Sequence, residues 1–279
     1  MRESLSFKVS RVAVLGGLII FVAVPLYVIL ISSFKPLKDV SGQWTWWPEN
    51  FTIAPYITMW ETVPLANYFV NSVVISVSAT ALALTFGILA AFALTRLRWK
   101  GQRAFSLIVL STQMFPGILF LLPLYLIFVQ IQRVFGVQLI GNYGGMIITY
   151  TTFALPFAIW MLMGFFAAMP EELEEAGMID GLTRFGAFIR IILPIARPGI
   201  VAVGVFAFMN AWGEVLFASV LTTADTRTLS IGMQAFTTNV DVRWNEAMSA
   251  SVVISIPVLL AFLLVQRHIV QGLAAGAVK

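Results

Sequence analysis

Apolar residues in this chain occur in long unbroken runs, rather than at the spacing of an amphipathic helix or an alternating strand. A bilayer requires about twenty mostly apolar residues of a spanning helix. Six runs reach or approach that length, and they predict spans at about 12–32, 68–95, 104–129, 144–166, 199–221 and 248–265. The predicted fold class is therefore all-α: a polytopic membrane protein with six transmembrane helices, forming a single domain over 1–279.

Composition agrees with a membrane protein. Hydrophobic residues make up 59% of the chain and charged residues 11%, against about 25% charge in soluble domains. The chain has no cysteine and one histidine, His268. Disulfides, thiolate catalysis and multi-histidine metal sites are therefore excluded, and no metal site is predicted. The net charge of +4 comes from bases in the segments between the apolar runs, which favours a positive-inside membrane protein over a nucleic-acid partner.

The first apolar run follows a basic segment that contains Arg2, Lys8 and Arg11. A cleaved signal peptide is the alternative interpretation, but its apolar core is expected to have about 7–15 residues. We therefore predict an uncleaved first span. If the N-terminus is cytoplasmic, the inner segments hold 12 Lys and Arg residues and the outer segments hold 5. Because bases accumulate on the cytoplasmic side, both termini are predicted to be cytoplasmic.

One polar stretch, 170–198, separates two apolar runs and predicts a helical hairpin. Pro170 suits a first helical position, where its missing N–H costs nothing. The four glutamates that follow complement the positive end of a helix dipole. Gly181 can supply the left-handed residue that ends this first helix, and Thr183 can cap a second one.

The second helix of the hairpin carries a continuous apolar stripe at i, i+3, i+4, i+7 spacing. Its members are Phe185, Phe188, Ile189 and Ile192. Burial of each side chain would contribute about 1.5–3 kcal/mol. Pro194 and Pro198 are expected to end the helix. Two interpretations stay open from the residues alone: a docking element, or an amphipathic loop that lies at the membrane surface.

The chain contains no recognisable catalytic machinery. None of its five lysines follows a glycine, so it has no G-x-x-x-x-G-K phosphate-binding loop. The lone histidine leaves no nucleophile–base–orienter set, and the chain is predicted not to be an enzyme. Glu214 is the one acid inside a predicted span. Because a charge at the centre of a bilayer costs about 2.5–3.5 kcal/mol, it is expected to face a partner, water or a pore, or to reach the outer interface.

The spacing of Glu175-Ala176-Gly177, Gly181, Ile191 and Leu193-Pro194 resembles the EAA loop of ABC importer permeases, E-A-A, x3, G, x9, I, x, L-P. Gly177 replaces the second alanine, which is expected to weaken the first helix by about 1 kcal/mol. The resemblance implies coupling helices that sit in a cleft of an ATP-hydrolysing subunit. The coupling residues that it implies are Glu174, Glu175, Ala176, Gly177, Asp180, Gly181, Thr183, Phe185, Leu193 and Pro194.

A second segment, 210–218, is similar to the W-N-E-F-L-F-A run of sugar-importer permeases of the maltose-transporter class. Gly213 stands where that class has Asn. The resemblance implies that Asn210, Trp212 and Glu214 belong to the translocation path. For Asn210, pore lining and hydrogen bonding between helices both stay open, because buried polar residues commonly bond across helical bundles.

The C-terminal run 266–279 also resembles that class, with Ala274 in place of Thr. The resemblance implies that the tail contacts the ATPase subunits, through Gly272, Leu273, Gly276 and Ala277; without it, the tail would be interpreted as a flexible terminus. The segments 221–223 and 227–229 look like the outer loop that such subunits extend towards a sugar-binding protein.

Together these resemblances imply a permease subunit of a binding-protein-dependent ABC importer, in a bacterial or archaeal cytoplasmic (inner) membrane. It would form half of a path for a sugar, a di- or oligosaccharide. The implied partners are a second permease, two ATP-binding subunits and an extracytoplasmic solute-binding protein. ATP and Mg would be used by the partners, and this chain would bind no cofactor. A permease for an amino acid or glycerol phosphate, and a solute-coupled secondary carrier, are the alternatives.

Overall fold

The structure, a computed structural model, describes residues 4–97, 99–237 and 242–276. Helices dominate it, and the β-structure within those residues is one bridge between Thr237 and Val242. In chain order the α-helices are α1 (Leu5–Ser32), α2 (Leu37–Ser41), α3 (Ala54–Thr62), α4 (Leu65–Arg96), α5 (Gln102–Thr112), α6 (Leu121–Phe135), α7 (Tyr143–Ala167), α8 (Glu172–Ile179), α9 (Arg184–Ala187), α10 (Leu193–Trp212), α11 (Leu216–Leu221), α12 (Leu229–Gly232) and α13 (Trp244–Gly276).

Six helices in the described part of the chain are long and apolar enough to cross a membrane. This confirms the predicted all-α fold class with six spans. The spanning segments are Phe7–Ser32, Leu65–Arg96, Gly117–Phe135, Tyr143–Ala167, Arg184–Trp212 and Trp244–Leu263.

Two of the expected spans are interrupted. Within 104–129, α5 ends at Thr112, and a 3₁₀ turn over Gly117–Phe120 leads into α6. Pro116 lies at this break, where it lacks an N–H and disfavours helical geometry in the residue before it. Within 199–221, α10 ends at Trp212 and α11 begins only at Leu216.

The second interruption has its own cause. The backbone N–H groups of Phe217 and Ala218 donate to the Glu214 carboxylate, at 2.8 and 3.1 Å. In a continuous helix they would donate to carbonyl oxygens four residues earlier. Gly213, a weak helix former, is the C-cap of α10. The carboxylate therefore starts a new helix where the apolar run predicted an unbroken one.

The expectation that Pro194 and Pro198 end the second hairpin helix is wrong. A π-helical stretch over Phe188–Ile192 connects α9 directly to α10. Pro194 lies just after this π stretch, and membrane helices accommodate proline through such local π adjustments. Pro198 lies inside α10, as membrane helices tolerate.

The chain forms two compact units, of which the first comprises the described residues of Met1–Ala66 and Gly232–Ile256. In it the Lys35 side chain is fully buried. Its ammonium group lies 3.1 Å from the Thr45 hydroxyl and 4.2 Å from the centre of the Trp44 ring. The Ser249 hydroxyl donates to the Ser33 carbonyl at 3.0 Å, so α13 is tied to the end of α1.

The second unit comprises the described residues of Asn67–Ile231 and Pro257–Lys279, and it contains two apolar cores. One joins the C-terminal halves of α4 and α7 to the π stretch and α10, through Ala91, Phe92, Ala158, Leu162, Phe166, Phe188, Ile192, Ala196 and Val203. The other joins α4, α6 and α7 to the residues around the α10–α11 break, through Ile75, Ala79, Phe128, Met146, Tyr150, Ala211, Phe217, Ala218 and Leu221. The hairpin and the break therefore rest on separate cores of one unit.

Candidate functional site

The hairpin of α8 and α9 turns at a glycine, as its sequence predicted. Gly181 has φ +88°, and its N–H donates to the Met178 carbonyl at 3.1 Å. The Leu182 N–H donates to the Gly177 carbonyl at 3.0 Å, which completes a Schellman motif. The Thr183 hydroxyl then accepts the Gly186 N–H at 3.0 Å. The expected local roles of Gly181 as helix stop and Thr183 as helix cap are confirmed.

Gly177 lies where α8 meets the start of the second helix. It is buried, and a Cβ added there would lie 2.6 Å from Ile191 Cδ1 and 3.1 Å from Ala187 Cβ. An alanine would require the Ile191 side chain to move. The missing methyl group thus allows closer contact between the two helices, in addition to the lower helix propensity that the sequence indicated.

The inner face of the hairpin is held by a buried arginine. The Arg96 Nε lies 2.8 Å from Glu174 Oε1, and both side chains are about 95% buried. The same guanidinium donates through Nη2 to the carbonyls of Phe166 and Met169, at 2.9 and 3.0 Å. These carbonyls lie at the C-terminal end of α7, where a cation also complements the helix dipole. One side chain at the end of α4 therefore joins α4, α7 and α8.

A second arginine closes the junction from the other helix. Arg184 Nη1 donates to the main-chain carbonyl of Arg96 at 3.0 Å, and Arg96 Nη1 lies 4.0 Å from Glu171 Oε1. Both members of the hairpin are thus bonded to the C-terminal end of α4. We name this set the hairpin junction: Arg96, Glu171, Glu174 and Arg184, with the carbonyls of Phe166 and Met169.

The hairpin junction includes one predicted residue and adds another. Glu174 is one of the predicted coupling residues, and its buried carboxylate is paired with Arg96 inside this chain, as part of the hairpin junction. Arg96 was not among the residues that the sequence indicated for this site. No local spacing relates it to Glu174, because the two are brought together by the packing of α4 against the end of α7.

The outer face of the hairpin combines acids with exposed apolar side chains. Ile179 is 87% exposed, Phe185 47% and Ile189 45%, and Glu175 and Asp180 are exposed beside them. We name these five residues the docking face. Ala176, Gly181, Thr183 and Pro194 are also exposed, and Leu193 is half-buried.

The expected continuous apolar stripe is therefore split into two rows. Phe188 and Ile192 are buried, at 1% and 0% exposure, whereas Phe185 and Ile189 are not. Each pair is spaced by four residues and forms one row along the helix. The buried row belongs to the core formed by α4 and α7. Phe185 keeps an edge-on contact with Phe92 of that core, at 5.8 Å between ring centroids, and about half of its side chain, like that of Ile189, is left for another surface.

The three candidates for the translocation path separate in the structure. Asn210 and Glu214 line a cavity of about 330 Å³. The Asn210 amide donates to the Phe206 carbonyl of its own helix at 2.8 Å. Trp212 is 4% exposed, and its ring packs 5.7 Å from that of Phe69 and 5.4 Å from that of Phe208. It does not line the cavity.

The remaining resemblances fall on the chain end and on the segment 222–229. Gly272, Leu273 and Gly276 lie in α13, and Ala277 lies outside the described residues. Segment 222–229 is bonded to α4, because the Asn71 amide donates to the carbonyls of Asp225 and Arg227 at 2.8 and 2.9 Å. Within the described ranges, no three His, Cys, Asp or Glu residues are grouped as a metal site would need.

Known proteins resemble this chain along its whole length. The family of binding-protein-dependent transport system inner membrane components matches residues 83–275. The inner membrane ABC transporter permease protein YcjP of Escherichia coli K12 is 38% identical over 280 residues, which cover 97% of each chain. The diacetylchitobiose uptake system permease protein DasC of Streptomyces coelicolor is 34% identical over 281 residues, 100% of each chain.

A solved structure shares the fold. A chain of a bacterial ABC transporter involved in the import of the acidic polysaccharide alginate superposes with a TM-score of 0.81, covering 96% of this chain and 99% of its own, at 19% identity. The family match, the two permease relatives and the six spans agree with the EAA-type hairpin. This chain therefore belongs to the family of binding-protein-dependent transport system inner membrane components, and it is a membrane permease subunit of an ABC importer rather than an enzyme.

Proposed function

We propose that this permease carries a carbohydrate and is driven by two ATP-binding subunits that dock on the face formed by Glu175, Ile179, Asp180, Phe185 and Ile189. A second permease subunit completes the path, and an extracytoplasmic solute-binding protein delivers the sugar. The carbohydrate class is supported by the diacetylchitobiose relative, which matches over the full length of both chains. ATP and Mg belong to the partner subunits, and the C-terminal tail is proposed to contact them.

The proposed orientation places both termini and the hairpin in the cytoplasm. The excess of Lys and Arg, 12 inner against 5 outer, supports it because bases accumulate on the cytoplasmic side. The hairpin then lies on the side of the membrane that holds ATP. The membrane is accordingly the cytoplasmic (inner) membrane of a bacterium or archaeon.

The observation that carries the proposal is that the hairpin has two unlike faces. Its inner face makes an ion pair and hydrogen bonds to the ends of α4 and α7. Its outer face exposes large apolar side chains next to Glu175 and Asp180. A loop that only lies at a membrane surface needs no rigid inner attachment, whereas an element that transmits force needs both an attachment and a contact surface.

The mechanism follows from this division. When the ATPase subunits close, the docking face moves with the cleft that holds it. The hairpin junction transmits the displacement to α4 and α7, and the continuous path through the π stretch transmits it to α10. Rigid-body rearrangement of packed helices is a common form of such switching.

Substitutions on the docking face test the proposal. Ile179→Asp removes exposed apolar area and Glu175→Lys reverses a charge, and neither touches the inner face. Loss of one buried isoleucine contact, about 1.5–3 kcal/mol, corresponds to a roughly ten- to hundredfold weaker association with the ATPase subunit. Co-purification of the ATPase and sugar uptake in proteoliposomes are therefore expected to fall together.

Val137→Asp is the matched control, because Val137 is an exposed apolar residue between α6 and α7, away from the hairpin. It is expected to leave association and uptake at the parental level. Normal co-purification and uptake by both docking-face variants would contradict the proposed contact.

A further inference from the structure

The two helix breaks of the second unit lie on one cavity. Gln113 and Gly117, at either end of the gap that follows α5, line its wall, and so does Glu214 from the gap between α10 and α11. Backbone that leaves helical geometry at membrane depth is tolerated where it is buried in protein or lines a water-filled cavity. In secondary transporters, discontinuous helices commonly form the substrate site. The cavity at which the two helix breaks meet is therefore a candidate ligand-binding site.

The walls of this cavity are mainly aromatic. Phe153, Phe157, Phe206 and Phe217 line it. The rings of Phe157 and Phe206 are stacked, with centroids 4.0 Å apart and an interplanar angle of 27°. Flat aromatic surfaces suit the C–H faces of a pyranose ring. The volume, about 330 Å³, lies at the lower end of the roughly 300–1,000 Å³ typical of ligand pockets.

Polar groups converge on the same space. Gln113 and Asn210 are exposed in this chain and line the cavity, and each amide combines donors with an acceptor, as vicinal hydroxyl groups require. The Glu214 carboxylate is fixed by the Phe217 and Ala218 N–H groups and by the Tyr150 hydroxyl, which donates to it at 3.0 Å. These three bonds leave about one of the roughly four acceptor positions of a carboxylate for a ligand.

We propose that this cavity is a binding subsite for a neutral sugar ring, held by Gln113, Asn210 and Glu214 against the Phe157–Phe206 pair. We infer a neutral ring because, among the described residues that line the cavity, Glu214 is the one charged residue. A uronate or sulfonate would meet a carboxylate without a compensating cation, whereas hydroxyl groups can donate to it. The inference rests on the proposed carbohydrate function and assigns part of the sugar contact to this subunit.

The experiment uses the assembled transporter with its solute-binding protein in proteoliposomes. First, trehalose, maltose and N,N′-diacetylchitobiose are tested for stimulation of ATP hydrolysis, with digalacturonate as the anionic comparison. Then Gly117→Cys and Ala154→Cys, which line the cavity without supplying a proposed polar contact, are each labelled with a small cationic methanethiosulfonate, with and without the stimulating sugar. This chain has no native cysteine, so the label on it reports only the introduced site. Gln138→Cys, exposed in the loop between α6 and α7, is the control.

A neutral sugar that stimulates hydrolysis is expected to slow labelling at both cavity positions, about tenfold at ten times its dissociation constant, and to leave Gln138→Cys unchanged. Stimulation without protection at either position would overturn the subsite while the carbohydrate function stands. Equal protection by digalacturonate would overturn its neutrality. If none of the sugars stimulates hydrolysis, the proposed carbohydrate function fails, and the subsite fails with it.

Discussion

Two glutamates in the second unit show opposite uses of a carboxylate. Glu174 is buried against Arg96, whose Nη2 group donates to the carbonyls of Phe166 and Met169. Glu214 is half-buried, borders a cavity and is held by two backbone N–H groups and the Tyr150 phenol. The Glu174 carboxylate forms a buried ion pair with the Arg96 guanidinium. The Glu214 carboxylate is held by neutral donors and keeps one acceptor position beside the cavity.

The different surroundings of the two carboxylates indicate different roles for the hairpin and for the α10–α11 break. A buried ion pair fixes one geometry, since removal of either partner leaves an unpaired charge and costs about 3–5 kcal/mol. Such a junction suits the transmission of movement. A carboxylate held by neutral donors is oriented without being neutralised, so it can still act on a ligand. The hairpin junction is therefore suited to transmit movement, and the Glu214 carboxylate at the α10–α11 break is suited to bind a ligand.

The largest effect is expected from Arg96→Met. It leaves the Glu174 carboxylate buried without its cation and releases the carbonyls at the end of α7, so the hairpin loses about 3–5 kcal/mol of attachment. Uptake by the reconstituted transporter is expected to fall to background. The purified complex is expected to unfold at a lower temperature, measured by tryptophan fluorescence in detergent.

Two further variants separate charge from attachment. Arg197→Ala removes an exposed arginine of α10 and is expected to leave uptake unchanged. Glu174→Gln combined with Arg96→Met removes the unpaired charge, so the double variant is expected to be more stable than Arg96→Met alone but still deficient in uptake. Parental uptake in Arg96→Met would show that the junction transmits nothing.

The sequence was sufficient for the six spans and for the local folding of the hairpin. Apolar runs, a glycine that can adopt positive φ and a threonine cap are properties of adjacent residues. The hairpin junction could not be predicted in the same way, because Arg96 and Glu174 meet only after α4 and α7 pack. The split of the apolar stripe likewise depends on which row meets that core, which is a tertiary property.

The span 104–129 was predicted with a break at its prolines, whereas 199–221, which has no internal proline, was predicted as continuous. Hydropathy measures the polarity of a segment and is insensitive to whether its backbone is helical throughout. Pro116 did signal a break, whereas the break at Glu214 depends on a side chain that replaces carbonyls as the acceptor for two N–H groups. The residues Gln113 and Tyr150 were therefore absent from the candidate path, although both line the cavity.

An intermediate effect is expected from Tyr150→Phe, which removes the phenol that orients Glu214. A hydrogen bond to a charged group contributes about 1.5–3 kcal/mol, so stability and the affinity for sugar are both expected to fall, without loss of ATPase association. Tyr143→Phe is the comparison, because its hydroxyl donates to the neutral Asn71 amide at 2.6 Å and is expected to contribute about 1 kcal/mol. If the two variants lost equal stability and equal sugar affinity, the hydrogen bond to the Glu214 carboxylate would be no stronger than the one to the neutral Asn71 amide.

The smallest effect is expected from a pair of glycines that differ only in location. Gly181 has φ +88° in the hairpin and Gly136 has φ +70° after α6, and a Cβ at either position would have no other atom within 4 Å. Alanine at each site therefore introduces the same left-handed strain, about 1–2 kcal/mol, and no clash. Both variants are expected to lose similar stability in thermal unfolding.

The two variants are expected to differ in the amount of ATP hydrolysed for each sugar imported. Gly181→Ala strains the turn that connects the docking face to the hairpin junction, so ATP hydrolysis and uptake become less tightly coupled, and more ATP is hydrolysed for each sugar imported. Gly136→Ala strains a turn far along the chain from that path and is expected to keep the parental ratio. If both variants kept that ratio, a rigid hairpin turn would not be needed for coupling, and the contrast between the two regions would rest on the hairpin junction alone.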